Sequence, residues 1–134
     1  MKKLFFLFLL LITAACQSKP VTREVVSVAD GSYKDVSVNE LAAMLKNKDF
    51  VFINVHIPFA GDIAQTDLSI PYDEIEQNLS QFPTDKNAKV VLYCRSGRMS
   101  QIAAEKLVSL GYTNIRNLAG GMVEWEQAGY DIEK

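Results

Sequence analysis

Cys94 closes the apolar run Val90-Val91-Leu92-Tyr93 and opens the segment Cys94-Arg95-Ser96-Gly97-Arg98-Met99-Ser100, which runs straight into an amphipathic stretch. A strand that ends in cysteine, followed by a tight, cationic, glycine-containing loop and then a helix, sets up an activated thiolate held among backbone N–H groups. The competing reading of Cys94 is a buried thiol acting as a small hydrophobe, a common and chemically inert role. The second candidate is His56, the chain's one histidine, just beyond another apolar run, Phe50 to Val55. It could hydrogen-bond near a reacting sulfur or donate a proton to a leaving group, or it could simply hold its own loop.

The elements that must position these groups alternate. Val36 to Asn47 reads as a helix with Ser37 as its cap, Glu40 completing a capping box, and Leu41, Met44 and Leu45 on one face. Phe50 to Val55 is a continuous apolar strand, as suits a sheet covered on both faces. Ser69-Ile70-Pro71 reads as a short edge strand, because proline limits pairing, and Tyr72 to Ser80 as a short helix with Ile75 and Leu79 four apart. Lys89 to Tyr93 is a second central strand. Ser100 to Leu110 is a helix with Ile102, Ala103, Leu107 and Leu110 as its apolar face, stopped by Gly111. Asn114 to Leu118 is a third strand, Gly120-Gly121 a turn, and Met122 to Ala128 a closing helix with Trp125 inward. This alternation predicts an α/β fold, a mainly parallel central sheet with helices on both faces. Ligands then belong beyond the carboxyl ends of the strands. The loops His56 to Asp67 and Cys94 to Met99 both leave that rim.

The start of the chain has a different composition. Lys2 and Lys3, the apolar run Leu4 to Ile12 and the small residues Thr13-Ala14-Ala15 before Cys16 read as an export signal, too short for a bilayer span of about 20 residues. The segment Leu11 to Cys16 resembles the lipobox of bacterial lipoproteins, although Thr13 stands where leucine is more usual. That resemblance implies residues 1–15 as a signal peptide, lipidation at Cys16, and residues 16–30 as a lipidated N-terminus and polar tether. One domain of about 100 residues, written as 31–134 with its start between Glu24 and Tyr33, then hangs from the membrane. Gln17, in place of an aspartate, points to the outer membrane if the source has two. With Cys16 acylated, Cys94 is the one remaining thiol, so no intramolecular disulfide and no multi-cysteine metal site can form.

Charge argues against a nucleic-acid partner. The chain carries 14 Lys+Arg against 16 Asp+Glu, with no basic stretch interleaved with aromatics. No phosphate-binding glycine motif or dinucleotide fingerprint is present. Asp62 and Asp67 lack further clustered ligands, so neither a metal nor a cofactor is expected.

The order strand, Tyr93-Cys94-Arg95-Ser96-Gly97-Arg98-Met99-Ser100, helix, Gly111-Tyr112, strand, Asn117-Leu118-Ala119-Gly120-Gly121, helix with Trp125, then Ala128-Gly129-Tyr130 resembles a single-domain rhodanese. The likeness is continuous from about Val90 to Tyr130, and its layout extends back to about Tyr33. It implies a rhodanese fold and a sulfurtransferase cycle in which Cys94 takes the outer sulfur of thiosulfate, polysulfide or a protein persulfide and passes it to a thiophilic acceptor. In that reading the backbone from Arg95 through Ser96, Gly97, Arg98 and Met99 forms an anion-binding nest. Gly97 permits the curvature, and the helix dipole favours a negative sulfur. Arg95 and Arg98 attract anions and favour the thiolate, against the plainer reading of both as solvated surface charges. Trp125, Tyr112 and Tyr130 are core and closure residues.

Three departures from the rhodanese pattern cluster near the cleft. The first central strand ends in Asn54-Val55-His56 rather than an Asp-Val-Arg type triplet, and Asp62 to Asp67 replaces a glycine-histidine-isoleucine segment. Met99 stands where many members have arginine. Related phosphatases and arsenate reductases resemble one another in having five residues between the cysteine and a required arginine, and here the residue at that place is Ser100, so a phosphate-sized oxyanion lacks its clamp and phosphoryl chemistry is disfavoured. The alternative to an enzyme is a docking or sulfur-carrier module of the same fold.

Overall fold

Residues 90 to 94 set the layering of the molecule. In the computed structural model, which describes residues 24–134, Val90, Leu92 and Cys94 face one apolar cluster while Val91 and Tyr93 face the other. This is the two-residue period of a strand with both faces covered. The strand, β5 (Val90–Tyr93), lies within a six-stranded sheet. In chain order its partners are β1 (Val25–Val28), β2 (Gly31–Val36), β3 (Val51–Asn54), β4 (Leu68–Ser69) and β6 (Ile115–Leu118). The spatial order is β1-β2-β6-β5-β3-β4; every pairing is parallel except the antiparallel β1–β2.

Helix α2 (Arg98–Ser109) covers one face through Ala103, Ala104, Leu107 and Val108. Helices α1 (Val38–Leu45) and α3 (Gly121–Gln127) cover the other through Leu41, Met122 and Trp125. The predicted capping box is present: Ser37 Oγ accepts from Glu40 N at 3.2 Å, and Ser37 N donates to Glu40 Oε2 at 2.8 Å. Gly111, at φ +93°, ends α2 as expected, and Tyr112 N reaches back to the Leu107 carbonyl at 3.1 Å.

Three expectations need correction. Strand β1 falls inside the 16–30 stretch read as a tether, so the ordered sheet begins at Val25; Val26 and Val28 pack on the core while Val25 faces out. On α2, Ile102 is 42% exposed, and Val108 and Ala104 take the inward positions. The helix read over Tyr72 to Ser80 is a short 3₁₀ segment over Glu76–Gln81, kinked at Asn78, although Ile75 is buried as its spacing suggested. The signal peptide and Cys16 lie outside the described residues.

Candidate active site

The loop after β5 turns so sharply that the backbone amide of Gly97 donates to Cys94 Sγ at 3.0 Å. Gly97 holds φ +105°, and a Cβ there would lie 3.3 Å from Gly120 N, so conformation and space both favour glycine. It is also the N-cap of α2 and provides no side-chain cap. The first-turn amides of Arg98, Met99 and Ser100 therefore lie beyond reach of any intrahelical acceptor, at the positive end of the helix beside the sulfur. Ser100 Oγ stands 3.4 Å from Cys94 Sγ and 3.1 Å from the Gly97 carbonyl, its one proton available to either.

A second helix N-terminus fixes the other side of the loop. Met122 N donates to the Cys94 carbonyl and Val123 N to the Arg95 carbonyl, each at 2.9 Å. The approach is so close that a Cβ on Gly121, at φ +57°, would fall 2.3 Å from the Cys94 carbonyl oxygen and 2.7 Å from that of Arg95. The amides of α3 are thus occupied by loop carbonyls, while the start of α2 is left for the sulfur. Cys94 is a free thiol only 1% exposed, at the floor of this turn. Arg95, Ser96 and Arg98 are exposed around it, and Met99 packs partly buried against the cluster that contains Cys94.

The structure brings His56 to the same rim. Burial pushes its imidazole below the ordinary value of 6.5, and the positive charge of Arg95 pushes it further in the same direction. Its backbone N–H donates to Asn54 Oδ1 at 3.0 Å.

That asparagine belongs to a buried polar hub that the chain's pattern did not reveal. Asn54, fully buried, gives one amide proton to the Gly61 carbonyl and the other to Asp62 Oδ1, both at 2.9 Å. Tyr93, adjacent to Cys94, takes the Ile63 N–H at 3.0 Å, and its hydroxyl lies 3.1 Å from Asp62 Oδ1 and 2.7 Å from Thr66 Oγ1. Burial raises the Tyr93 phenol well above its usual range, so it stays protonated and a donor. Asp67, the far end of the same loop, accepts from Phe52 N at 2.8 Å and from Lys48 at 2.6 Å. Both aspartates weighed as metal ligands are therefore hydrogen-bond anchors.

Beside the cysteine loop opens a cleft of about 490 Å³, lined by Phe59, Ala60, Gly61, Arg95, Met122, Glu126, Ile132 and Lys134. Of these only Arg95 was singled out from the sequence. Phe59, an aromatic directly after Pro58 in the stretch beyond the Phe50 to Val55 run, was the available signal for the others, and it is 60% exposed.

Comparison with known proteins places this geometry. The model of the rhodanese-like domain matches residues 37–128. The chain is similar to a sulfurtransferase of Allochromatium vinosum, with 34% identity over 89 residues, 63% of this chain and 79% of that protein. It is similar to thiosulfate sulfurtransferase PspE of Escherichia coli, with 36% identity over 73 residues, 53% of this chain and 69% of that one. Similarity to adenylyltransferase and sulfurtransferase UBA4 of Candida albicans, 37% identical over 70 residues, covers 52% of this chain but 16% of that protein. Among solved structures, a rhodanese-like domain protein from Staphylococcus aureus superposes with a TM-score of 0.61 and 29% identity, over 75% of this chain and 98% of that one.

Proposed function

This chain belongs to the rhodanese-like domain family, and from that premise we propose that it is a sulfurtransferase of the cell envelope with Cys94 as its sulfur carrier. The observation that carries the reading is the Gly97 amide aimed at Cys94 Sγ, at the uncapped start of α2. Backbone donors at a helix N-terminus serve a negative sulfur whether it is a thiolate or the outer atom of a persulfide.

With thiosulfate as donor, the Cys94 thiolate attacks the outer sulfur. A new S–S bond forms, the bond between outer and central sulfur breaks, and its electron pair leaves with sulfite. In the second half, the persulfide anion takes a proton from solvent and an acceptor thiolate attacks its outer sulfur. The acceptor becomes the persulfide, with its proton, and the electron pair of the broken S–S bond returns to Cys94 as thiolate. Arg95 and Arg98 attract anionic donors to the rim, and Ser100 Oγ is placed to steady the sulfur. The same cycle accepts polysulfide or a protein persulfide as donor, both of which present an outer sulfur with a leaving group. Similarity to sulfurtransferases of this length class supports the reading.

The envelope location rests on the sequence: the charged start, the apolar run and Cys16 after Thr13-Ala14-Ala15. Acylation at Cys16 would anchor the domain through residues beyond the lipid and before Val25, on the periplasmic face. A second reading, a docking or sulfur-carrier module without turnover, draws on the 1% exposure of Cys94.

One experiment separates these. The intact mass of the purified protein is measured after thiosulfate, with and without a thiol reductant, beside Cys94→Ser. The expected result is one reducible sulfur atom gained by the parent and none by the variant. No gain from thiosulfate or polysulfide, in a folded protein, would overturn the enzyme reading in favour of the docking module.

A further inference from the structure

Strand register sets two cations side by side where the helical cover of the sheet runs out. Directly paired residues project to the same face, and one row runs Val25, Lys34, Arg116, Val91, Phe52 across β1, β2, β6, β5 and β3. Val91 and Phe52 are fully buried in the cluster that α1 and α3 close, and that cluster takes no residue from β1 or β2. Val25 is therefore 53% exposed, and Lys34 and Arg116 are half-buried beside it.

The charge of this pair is not answered within the fold. Like charges on directly paired positions cost stability unless an anion stands near them. Among the described residues neither Lys34 nor Arg116 forms an ion pair, and Arg116 Nε is buried without a hydrogen-bond partner. The carboxylate that senses Arg116 is Asp49, and it is committed elsewhere. Lys89 donates to its two oxygens at 2.8 and 2.7 Å, and Lys89 first, with Arg116 a weaker contributor, holds that carboxyl below its usual range. Glu24 and Asp35 alternate to the opposite face, where, after burial, their charge helps to raise the Tyr33 phenol.

We propose that this face, Lys34 and Arg116 with Val25 beside them, docks the domain on the anionic phospholipid headgroups of the membrane to which the chain is tethered. The inference rests on the envelope reading for the presence of a bilayer, while the unanswered charge stands apart from it. The position of the chain start favours this occupant. Val25 belongs to the row itself, so a lipid on Cys16 keeps the bilayer within at most about 32 Å of it along the extended chain. The segment Gln17 to Arg23 contains Lys19 and Arg23 and no carboxylate, so it does not neutralise the pair and adds to the same attraction. Lys34 and Arg116 donate N–H groups to phosphate oxygens, and Val25 enters the boundary between headgroups and acyl chains. Cys94 belongs to the cluster on the other face, and its loop leaves the carboxyl rim, so the docked domain keeps its sulfur site open.

The test reads Lys34 directly. The full chain is reconstituted in vesicles of phosphatidylcholine alone or with added phosphatidylglycerol, and acetylation by N-hydroxysuccinimide acetate is followed by mass spectrometry at Lys34 and at Lys106, which lies on α2 across the sheet. Each cation at an anionic surface is worth about fivefold in partitioning. The expected result is a fall of about fivefold or more in Lys34 modification relative to Lys106 when phosphatidylglycerol is present, lost at high salt and reduced about fivefold by Arg116→Gln. The lipid contrast needs no variant, so the test stands if Arg116→Gln does not fold. An equal Lys34 to Lys106 ratio in the two vesicles overturns the proposal. So does protection by inorganic phosphate in neutral vesicles, which marks a free-anion site, or protection there that grows with protein density, which marks a second copy on this face. The mass of the peptide bearing Cys16 reports the anchor separately. Acylated protein without Lys34 protection overturns the docking face alone, and unacylated protein that binds phosphatidylglycerol vesicles with Lys34 protected supports the face while overturning the lipid anchor.

Discussion

The two loops on the carboxyl rim of the sheet are built from different materials. The loop after β5 is held by backbone: a glycine amide on the sulfur, two helix amides on its carbonyls, and a glycine at 121 where no side chain would fit. The loop after β3 is held by side chains, with Asn54, Asp62, Tyr93 and Thr66 sharing one buried network. Backbone construction ties the loop to conformation and spacing, and leaves the exposed side chains free to choose ligands. Side-chain construction ties the loop to particular partners, so one residue cannot change without another.

The comparison breaks most visibly at Gly121. Replacing it with alanine forces a Cβ against two carbonyl oxygens at a positive φ, and neither carbonyl can move without moving Cys94. We expect Gly121→Ala to lose about 3 kcal/mol of stability by urea denaturation and to lose sulfur loading even where it remains folded. Full loading in a protein of parental stability would show that the α3 contact does not set the loop.

The other loop is tested by Asn54→Asp, which puts a carboxylate where two protons are now donated. It would face the Gly61 carbonyl and the Asp62 carboxylate, each now 2.9 Å from the amide nitrogen. The expected loss is about 2 kcal/mol at neutral pH, recovered in part by the double variant with Asp62→Asn, whose amide can donate back. Additive losses in the pair would show that the two residues are not partners.

This division explains how much could be read beforehand. The cysteine loop, the parallel sheet and the helices α1 and α2 were readable because backbone devices leave composition marks: Ser37 with Glu40, Gly97 after Cys94, Gly111 after Leu110, and apolar runs for buried strands. Strand β1 was missed because Val25 to Val28 alternates weakly and earns burial only by pairing with β2. Ile102 was misassigned because its helical spacing suits two adjacent faces and only the sheet decides between them. The Asn54 hub and the lining of the cleft were hidden for a different reason. They draw on residues about 30 and about 70 positions apart, Asp62 with Tyr93 and Gly61 with Ile132, and no local period encodes such contacts.

His56 is where the two constructions meet, and it yields the smallest and most discriminating effect. Its amide is held by the side-chain loop through Asn54, while its ring feels Arg95 of the backbone loop. Because burial first and Arg95 second hold its folded-state pKa below 6.5, the unfolded chain takes up a proton before the folded one on acidification. Stability attributable to the neutral ring is thus complete above pH 6.5 and declines as pH falls through 6.5 toward the folded-state value. The ring is partly exposed, so screening keeps the effect small. Urea denaturation across this interval, for the parent and His56→Gln, should show the parent losing stability relative to the variant as the solution is acidified. A difference that is flat, or that grows in the parent's favour, would mean that the ring is not desolvated against Arg95. It would also mean that the two loops share a rim without sharing an electrostatic environment.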